Sequence, residues 1–217
     1  MQRTISAMVG KGSVNHNSRK FRAENVDGTR THLNIDYCNE NIKTVYHELF
    51  DEALERYNAK QTRSDRKIKD YYEKIRSSKQ EKPFHEIILQ VGGKGNMNAD
   101  TENGELAKQI LDEYYQGFQE RNPQLRVFSA HLHMDEATPH LHIDFVPFTT
   151  GSKRGLDTRV SLKQALATQG FKGGSRGDTE WSQWIQSEKE QLAAVMERYG
   201  IEWEHKGTHE KHLSVLD

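Results

Sequence analysis

The sequence lacks the features that are typical of secreted and membrane-bound proteins. Cys38 is its only cysteine, so no intrachain disulfide can form, and a lone thiol fits a reducing cytoplasm. No apolar run is long enough to cross a bilayer. The N-terminal segment MQRTISAMVGKGS lacks the apolar middle region of a signal peptide. We therefore expect a cytoplasmic protein with no membrane segment in this chain.

An excess of charge of one sign is also missing. The 31 Lys and Arg residues nearly balance the 32 Asp and Glu residues, giving a net charge of −1. The whole chain therefore has no bias towards nucleic acid, and any basic surface must arise locally. Hydrophobic residues make up 34% of the chain and no internal repeat is visible. We expect one folded domain over 1–217, which ends soon after a charged helix and forms the N-terminal part of a longer protein.

The spacing of apolar residues predicts an alternation of strands and helices. Because neighbouring strands follow one another through short connections, we expect an α+β fold, with a mainly antiparallel central sheet flanked by helices. The predicted strands are 4–9, 31–37, 84–91, 126–134 and 140–148. The predicted helices are 41–60, 64–78, 104–120 and about 179–199.

Four histidines lie close together in the segment HLHMDEATPHLH, which begins at His131. Side chains two apart on a strand share a face, so His140 and His142 point the same way, and a hairpin can bring His133 beside them. Three imidazoles would bind a divalent metal and leave coordination positions open, which is typical of catalytic sites. His131 shares the face of His133 and is a rival or fourth ligand. The alternative is that all four are ordinary strand histidines.

Asp135 and Glu136 lie in the turn between the two histidine strands. Asp is common in turns for local reasons. A carboxylate here could also fix a histidine tautomer or act as a general base. We expect the functional role for Glu136, and both interpretations stay open for Asp135.

Three segments together resemble one protein family. HMDEATPHLH resembles the third motif of the HUH-type relaxases, in particular of the MobV, or Pre (plasmid recombination enzyme), family. The segment His16-Asn17-Ser18-Arg19 resembles the HNxR motif of that family. The segment 31–34, THLN, resembles its second motif, HLNY, although Ile35 stands where the family usually has Tyr. The three matches occur in family order and cover about the first 150 residues.

The resemblance implies an activity and assigns roles to residues. A relaxase nicks and rejoins one strand of single-stranded or supercoiled plasmid DNA at an origin of transfer, through a covalent 5′-phospho-enzyme intermediate. His16 matches the family's nucleophile, Glu136 would be its orienting partner or base, and Arg19 would bind the phosphate; Tyr37 is the competing nucleophile. The resemblance favours Mn²⁺ or Mg²⁺, although imidazole ligands also suit Zn, Ni and Cu. The expected second layer around the site is Asp135, His32 and Asn34.

Two basic stretches are the expected DNA contacts. The region 151–177 follows the second histidine strand directly, and we expect it to lie where DNA would run. The predicted contacts are Lys11, Arg19, Lys20, Arg22, Lys153, Arg154, Arg159 and Lys172, and Lys163 and Arg176 lie in the same region. The last helix is acidic and should face away from DNA. Trp181 and Trp184 on that helix are expected to pack in the core.

The resemblance also implies a larger context. This chain would be the nicking domain of a mobilisation protein that forms a homodimer through a C-terminal region missing here. Two other functions explain part of the pattern. A metal-dependent phosphohydrolase of small substrates would use the histidines but not the HNSR segment or the basic stretch. A non-catalytic DNA-binding replication module would leave the open coordination positions unexplained.

Overall fold

The computed structural model describes residues 1–206, which build an antiparallel sheet with helices on both faces. The strands are β1 (Gln2–Arg3), β2 (Ile5–Val9), β3 (Ile35–Asn39), β4 (His85–Val91), β5 (Leu125–His133), β6 (His140–Thr149), β7 (Arg159–Val160) and β8 (Glu202–Trp203). The helices are α1 (Val14–Asn17), α2 (Ile42–Ala59), α3 (Tyr71–Arg76), α4 (Glu102–Gln116), α5 (Phe118–Arg121), α6 (Leu162–Thr168) and α7 (Glu180–Arg198). The C-terminal end of the expected domain, 207–217, lies outside the described residues.

The main sheet has six strands in the order β2-β4-β6-β5-β3, with β7 paired to β6. Every pair within it is antiparallel, and the long hairpin of β5 and β6 lies at its centre. The short strands β1 and β8 pair in parallel outside this sheet. The predicted α+β class and mainly antiparallel sheet are therefore confirmed.

One face of the sheet is uniformly apolar. Leu141, Ile143 and Phe145 alternate along β6 towards this face and are fully buried, as strand alternation requires. Helices α4 and α7 pack over them and bring Trp184 into the core, with Trp181 packed against it. The expectation that the tryptophans pack in the core is confirmed for Trp184, and Trp181 packs against the core while partly buried.

The other face is divided along its length. At one end Phe128 and Val146 pack under α2 and α3, in a cluster with Phe50. At the other end the same strands carry His142 and the buried Asp144. The chain therefore builds a dry core and a buried polar region side by side on one surface.

A β-bulge decides which side chains of β5 reach this divided face. The register against β6 shifts between Val127 and Ser129, so Phe128 is an extra residue in the strand. Before the bulge Val127 belongs to the uniformly apolar core, whereas after it Ala130 and Leu132 do. Because the bulge reverses the alternation, the histidines of β5 face the same way as His142.

Several predicted elements differ from the observed ones. Residues Thr31–Leu33 form a 3-10 turn before β3, because the next side chain, that of Asn34, accepts a hydrogen bond from the Met134 amide and donates to Asp135. The predicted helix 64–78 is reduced to α3, since the Asn58 side chain binds both backbone groups of Ile68 and holds the preceding segment out of a helix.

The predictions for later parts of the chain also differ from the structure. The predicted helix 104–120 is divided at Gly117 into α4 and α5, and 151–177 contains β7 and α6. The acidic last helix is only partly solvated, because Glu188 is buried and binds Tyr114, Arg121 and Asn122. None of the helices in residues 1–206 is long and apolar enough to span a membrane.

Candidate metal centre

Three histidines converge where β5 ends and β6 begins. His133 and His140 are paired across the hairpin, and His142 follows on the same face. The ring centroids are 5.2 Å apart for His133 and His140, 4.7 Å for His133 and His142, and 4.9 Å for His140 and His142. One nitrogen of each ring lies within 4.8 Å of the others, a spacing that one metal ion could bridge.

The second nitrogen of each ring is held by the protein. His142 Nδ1 donates to Glu86 Oε1 at 2.7 Å, and His140 Nδ1 donates to the Thr138 carbonyl at 2.8 Å. His133 Nε2 donates to the Asn17 carbonyl, also at 2.8 Å. These bonds fix the tautomers and turn the lone pairs of the remaining nitrogens towards one point, as outer partners of metal ligands do.

Two of those remaining nitrogens have no hydrogen-bond partner among residues 1–206. They are His133 Nδ1 and His142 Nε2, and both are buried. A buried polar atom without a partner destabilises a protein by about 1–3 kcal/mol. A bound cation would remove that penalty, so the donor set fits a divalent metal.

The protonation state of the histidines also suits metal binding. Burial lowers the pKa of His142 to about 4, although its hydrogen bond with Glu86 acts in the opposite direction. Burial and the neighbouring histidines lower the pKa of His133 even further. Both rings are therefore neutral near pH 7, which is the form that donates a lone pair to a metal.

A buried carboxylate pair lies behind His142, and the sequence reasoning missed it. Glu86 on β4 and Asp144 on β6 are direct partners in the register, and both are buried. Asn17 Nδ2 donates to Glu86 at 2.7 Å and to Asp144 at 3.0 Å, and the Gly12 amide donates to Glu86 at 2.7 Å. The available signal was a charged residue inside each of two apolar strands, FHEIILQV and HLHIDFVPF.

The two carboxylates have pKa values shifted in opposite directions. Burial would raise the pKa of Glu86, but hydrogen bonds from His142, Gly12 and Asn17 outweigh it and lower the pKa. Burial, together with the charge of Glu86, raises the pKa of Asp144 to about 7. Glu86 therefore supplies the negative charge that orients His142.

His16 faces the cluster from the N-terminal loop. Its Nε2 lies 3.5 Å from Glu136 Oε1 and 3.3 Å from Arg19 Nη1. Its ring centroid is 6.0 Å from that of His133. Glu136 Oε1 also lies 3.7 Å from the free nitrogens of His133 and His140. The predicted nucleophile, the predicted carboxylate and the predicted ligands are thus in one place.

Glu136 is held as an anion. Burial would raise its pKa, but the contact with His16 and the hydrogen bond and charge of Arg19 act against burial and lower the pKa well below its ordinary range. Arg19 Nη2 donates to Glu136 Oε1 at 2.8 Å.

Arg19 occupies a different position from the one expected for a phosphate ligand. Its guanidinium forms a two-point contact with the buried Asp135, through Nε at 3.0 Å and through Nη2. Asp135 also accepts from Thr31 and Asn34, at 2.9 and 2.8 Å. Arg19 has a φ of 56°, and among residues 1–206 no other residue except glycine has a positive φ. Asp135 therefore holds Arg19 in a strained conformation beside the site.

Three predicted or competing residues lie away from the centre. His131 is buried, but its nitrogens bind Asp36 at 2.5 Å and Ser129 at 3.2 Å. His32 is exposed, and its Nδ1 lies 2.9 Å from the Thr29 carbonyl. The Tyr37 hydroxyl donates to Asp112 on α4 at 2.6 Å, and burial raises its pKa.

The predicted DNA contacts form two separate groups. Lys11, Lys20 and Arg22 are exposed on the segment that carries His16. The region 151–177 begins beyond Thr149, at the opposite end of β6 from His140, which is roughly 30 Å away at about 3.3 Å per residue. The region therefore follows the histidine strand but begins at its far end from the metal ligands, and its contact with DNA stays a prediction.

Within the region 151–177 the basic residues differ in exposure and in the partners of their side chains. Lys153, Arg154 and Lys172 are exposed. Arg159 donates to the Ser152 hydroxyl at 2.9 Å, and Lys163 lies 3.4 Å from Glu180.

Comparison with known proteins gives one consistent result. The family model described as "Plasmid recombination enzyme" (Mob_Pre) matches residues 12–174. A plasmid recombination enzyme type 3 from Staphylococcus aureus is 27% identical over 157 residues, covering 70% of this chain and 33% of the relative. A type 2 enzyme from Staphylococcus aureus (strain Mu50 / ATCC 700699) is 27% identical over 194 residues, covering 82% of this chain and 41% of the relative. The chain thus spans between a third and two fifths of the length of these relatives.

Solved structures agree at the level of the fold. The Mn-bound MobM relaxase domain (MOBV; Mob_Pre) in complex with plasmid pMV158 oriT DNA matches with a TM-score of 0.56 in a crystal at pH 4.6 and 0.54 in one at pH 5.5. Sequence identity is 21% in both cases, over 98% of this chain and at least 96% of the other. The histidine motif, the fold and the family model point the same way, and the chain belongs to the plasmid recombination enzyme (Mob_Pre) family.

Proposed function

We propose that this chain is the metal-dependent nicking and rejoining domain of a plasmid mobilisation protein, and that it acts on one DNA strand at an origin of transfer. One observation supports this most directly: three histidines each turn one nitrogen to one point, and a fourth imidazole, that of His16, faces the same cluster. The relaxase domain of similar fold binds oriT DNA and manganese, which agrees with this proposal.

His133, His140 and His142 would hold the cation, Mn²⁺ or Mg²⁺. When bound, it would neutralise charge on the scissile phosphate. Glu86 and the carbonyls of Thr138 and Asn17 keep the three rings in the required tautomers. The histidine side chains would therefore bind the cation without rearranging.

His16 would be the nucleophile, through Nε2, because that nitrogen faces the histidine cluster. Its lone pair forms the bond to phosphorus while the bond from phosphorus to the 3′ oxygen breaks. The 3′ oxygen leaves with that electron pair and takes a proton from solvent, and the ring releases its Nδ1 proton. The 5′ phosphate then stays on His16 as a phosphoramidate, and the reverse sequence rejoins the strand.

Glu136 would act at the same nitrogen as the incoming phosphate. The sequence predicts Glu136 as the orienting partner or base of His16, and its Oε1 lies 3.5 Å from Nε2, the attacking nitrogen. We therefore assign it to stabilising the positive charge that develops on the ring, rather than to orienting the ring from behind. Arg19 positions Glu136 through the 2.8 Å hydrogen bond and is itself fixed by Asp135.

A denaturing gel tests the proposal. The protein is incubated with Mn²⁺ and a labelled single-stranded oligonucleotide carrying its own origin, and we expect a covalent protein–DNA band that breaks in mild acid. The band should vanish in His16→Ala and persist in Tyr37→Phe. A band that withstands acid, or that forms without His16, would transfer the role to a tyrosine.

The same assay separates the other functions. Hydrolysis of small phosphate esters without any DNA adduct would support the phosphohydrolase, and DNA binding without cleavage would support the replication module. A steep dependence of DNA affinity on salt is expected from the exposed Lys11, Lys20 and Arg22, since each phosphate contact adds about 0.7 to the log–log slope for single strands.

We further propose that the chain forms one nicking domain at the N-terminal side of a longer mobilisation protein and works in the cytoplasm. The fraction of the curated relatives that it covers, 33% to 41%, supports a longer protein. A homodimer formed through a C-terminal region stays a prediction, which light scattering of the longer protein beside this chain would test.

A further inference from the structure

The imidazole of His16 lies in a second group of possible metal ligands. One nitrogen of His16, one nitrogen of His133 and one carboxylate oxygen of Glu136 all lie within 4.8 Å of one another. We name these three residues the His16 set. It differs from the set of three histidines, although His133 belongs to both. Two histidines and one glutamate are a donor combination that zinc sites in proteins use.

The separations within the His16 set suit a single ion. Glu136 Oε1 lies 3.5 Å from His16 Nε2 and 3.7 Å from His133 Nδ1. Two ligands of a tetrahedral zinc ion, each about 2.0–2.1 Å from the metal, are about 3.3 Å apart. A shift of a few tenths of an ångström would therefore let the carboxylate share one ion with both imidazoles.

The two sets compete for one electron pair. His133 Nε2 donates to the Asn17 carbonyl at 2.8 Å, so Nδ1 is the nitrogen of this ring that can bind an ion. Because that nitrogen has one lone pair, His133 can serve either the three-histidine set or the His16 set. An ion therefore has two alternative positions, one that leaves His16 free and one that does not.

The charges around the His16 set attract a cation in spite of Arg19. Asp135 and Glu136 carry two negative charges beside the single positive charge of Arg19. Arg19 Nη1 lies 3.3 Å from His16 Nε2 and donates to the His16 carbonyl at 3.2 Å, so it keeps an acceptor when an ion takes the ring nitrogen. Its Nε and Nη2 stay with Asp135. Arg19 therefore need not leave for an ion to bind.

We propose that His16, His133 and Glu136 form a second metal position, which Zn²⁺ occupies and which switches the nucleophile off. The effect on nicking rests on the proposed function, whereas zinc binding does not. Imidazole ligands bind Zn²⁺ more tightly than Mn²⁺, and Glu136 adds an anionic oxygen that three imidazoles lack. With zinc on Nε2, the lone pair that would attack phosphorus is bound to the metal instead. Zinc should therefore inhibit nicking even when manganese is abundant.

The first test measures binding without DNA. Calorimetric titration with ZnCl₂ is carried out on His140→Ala, which breaks the three-histidine set and leaves the His16 set complete. This variant should lose manganese affinity but still bind one zinc ion. Adding either His16→Ala or Glu136→Gln should raise the zinc Kd about tenfold or more, since losing even an outer partner of a ligand has that effect. The matched control adds His47→Ala, which breaks an exposed histidine–carboxylate pair, 3.0 Å from Asp51, and should leave the zinc Kd unchanged.

A second measurement keeps the wild-type ligands. The protein is treated with diethyl pyrocarbonate, which modifies free imidazole nitrogens, and the modified peptides are identified by mass spectrometry. Zinc should protect His16 more than manganese does. The exposed His32, whose Nδ1 lies 2.9 Å from a backbone carbonyl, is the internal control and should react equally with and without zinc.

The outcomes separate this inference from the proposed function. An unchanged zinc Kd on adding His16→Ala, or equal modification of His16 with and without zinc, would overturn the second metal position. Failure of the proposed function would appear instead as a wild type that forms no adduct with an origin strand and Mn²⁺, while zinc binding by the His16 set stays intact.

Discussion

The two ends of one sheet face behave as opposites, although the same two strands build both. Under α2 and α3, Phe128 and Val146 pack with Phe50 in a cluster without charge. At the other end, His133, His142 and Asp144 are equally buried but leave three polar atoms without partners among residues 1–206: His133 Nδ1, His142 Nε2 and Asp144 Oδ1. The first end gains stability from burial. The second gives up stability for a preformed ligand set.

This difference shows where mutations should separate activity from stability. A substitution at the histidine end should remove metal binding with little loss of folding free energy, because polar atoms there lack hydrogen-bond partners in the metal-free protein. A change in the apolar end should do the reverse. The two ends are adjacent along β6, so the contrast can be tested within one strand pair.

The largest expected effect is on activity, from His140→Ala. Removing one lone pair from the three should lower the nicking rate on the order of a thousandfold or more, as happens when one member of a joint catalytic unit is lost. Manganese titration calorimetry and a nicking assay measure it. The exposed His47→Ala on α2 is the control and should change neither. Near-normal nicking by His140→Ala would contradict the assignment of His140 as a metal ligand.

Next in size is a loss of stability from Phe50→Ala at the apolar end. Phe50 is fully buried, so its truncation should lower the free energy of unfolding by about 3–5 kcal/mol. Urea denaturation followed by circular dichroism gives that value. Manganese affinity of the folded fraction should stay at the wild-type level, and a parallel loss of affinity would show that the two ends are coupled.

A smaller effect is expected from Glu86→Gln, which keeps the shape but removes the charge that orients His142. Metal affinity should fall about 10–100-fold, the usual effect of losing an outer partner of a ligand. The matched control is Glu188→Gln, a buried carboxylate beneath the opposite face. It should lower stability and leave metal affinity unchanged. Equal affinities in both variants would contradict the role of Glu86.

The smallest effect concerns pH and Asp144. Its folded pKa of about 7 lies above the ordinary 3.8, so the folded state holds its proton more tightly. The resulting stability is present below pH 3.8 and is lost as pH rises through 7. Metal-free Asp144→Asn should therefore melt at a higher temperature than the wild type at pH 8 and at the same temperature near pH 4. The exposed Asp65→Asn should show no such pH dependence; a constant difference for Asp144→Asn would show that its titration is not responsible.

The local spacing of apolar residues predicted much of the fold. Apolar spacing predicted α2, α4, α7 and the central hairpin to within a few residues, because burial of one side of an element depends only on its own repeat. The same rule placed His140 and His142 on one face. It failed at 31–34 and 64–70, where side chains of Asn34 and Asn58 bind backbone groups and override the local preference.

By itself the sequence determined the family motifs, the kind of donor atoms and the alternation of the strands, all of which depend on residues close together in the chain. Tertiary structure alone decided the rest. The bulge at Phe128 turned the histidines of β5 onto the face of His142. Strand order brought Glu86 to His142, 56 positions away, and Asn17 to Asp144, 127 positions away. The length of β6 places the start of the basic region 151–177 far from the metal ligands. Such contacts depend on register and strand order, which no local spacing specifies.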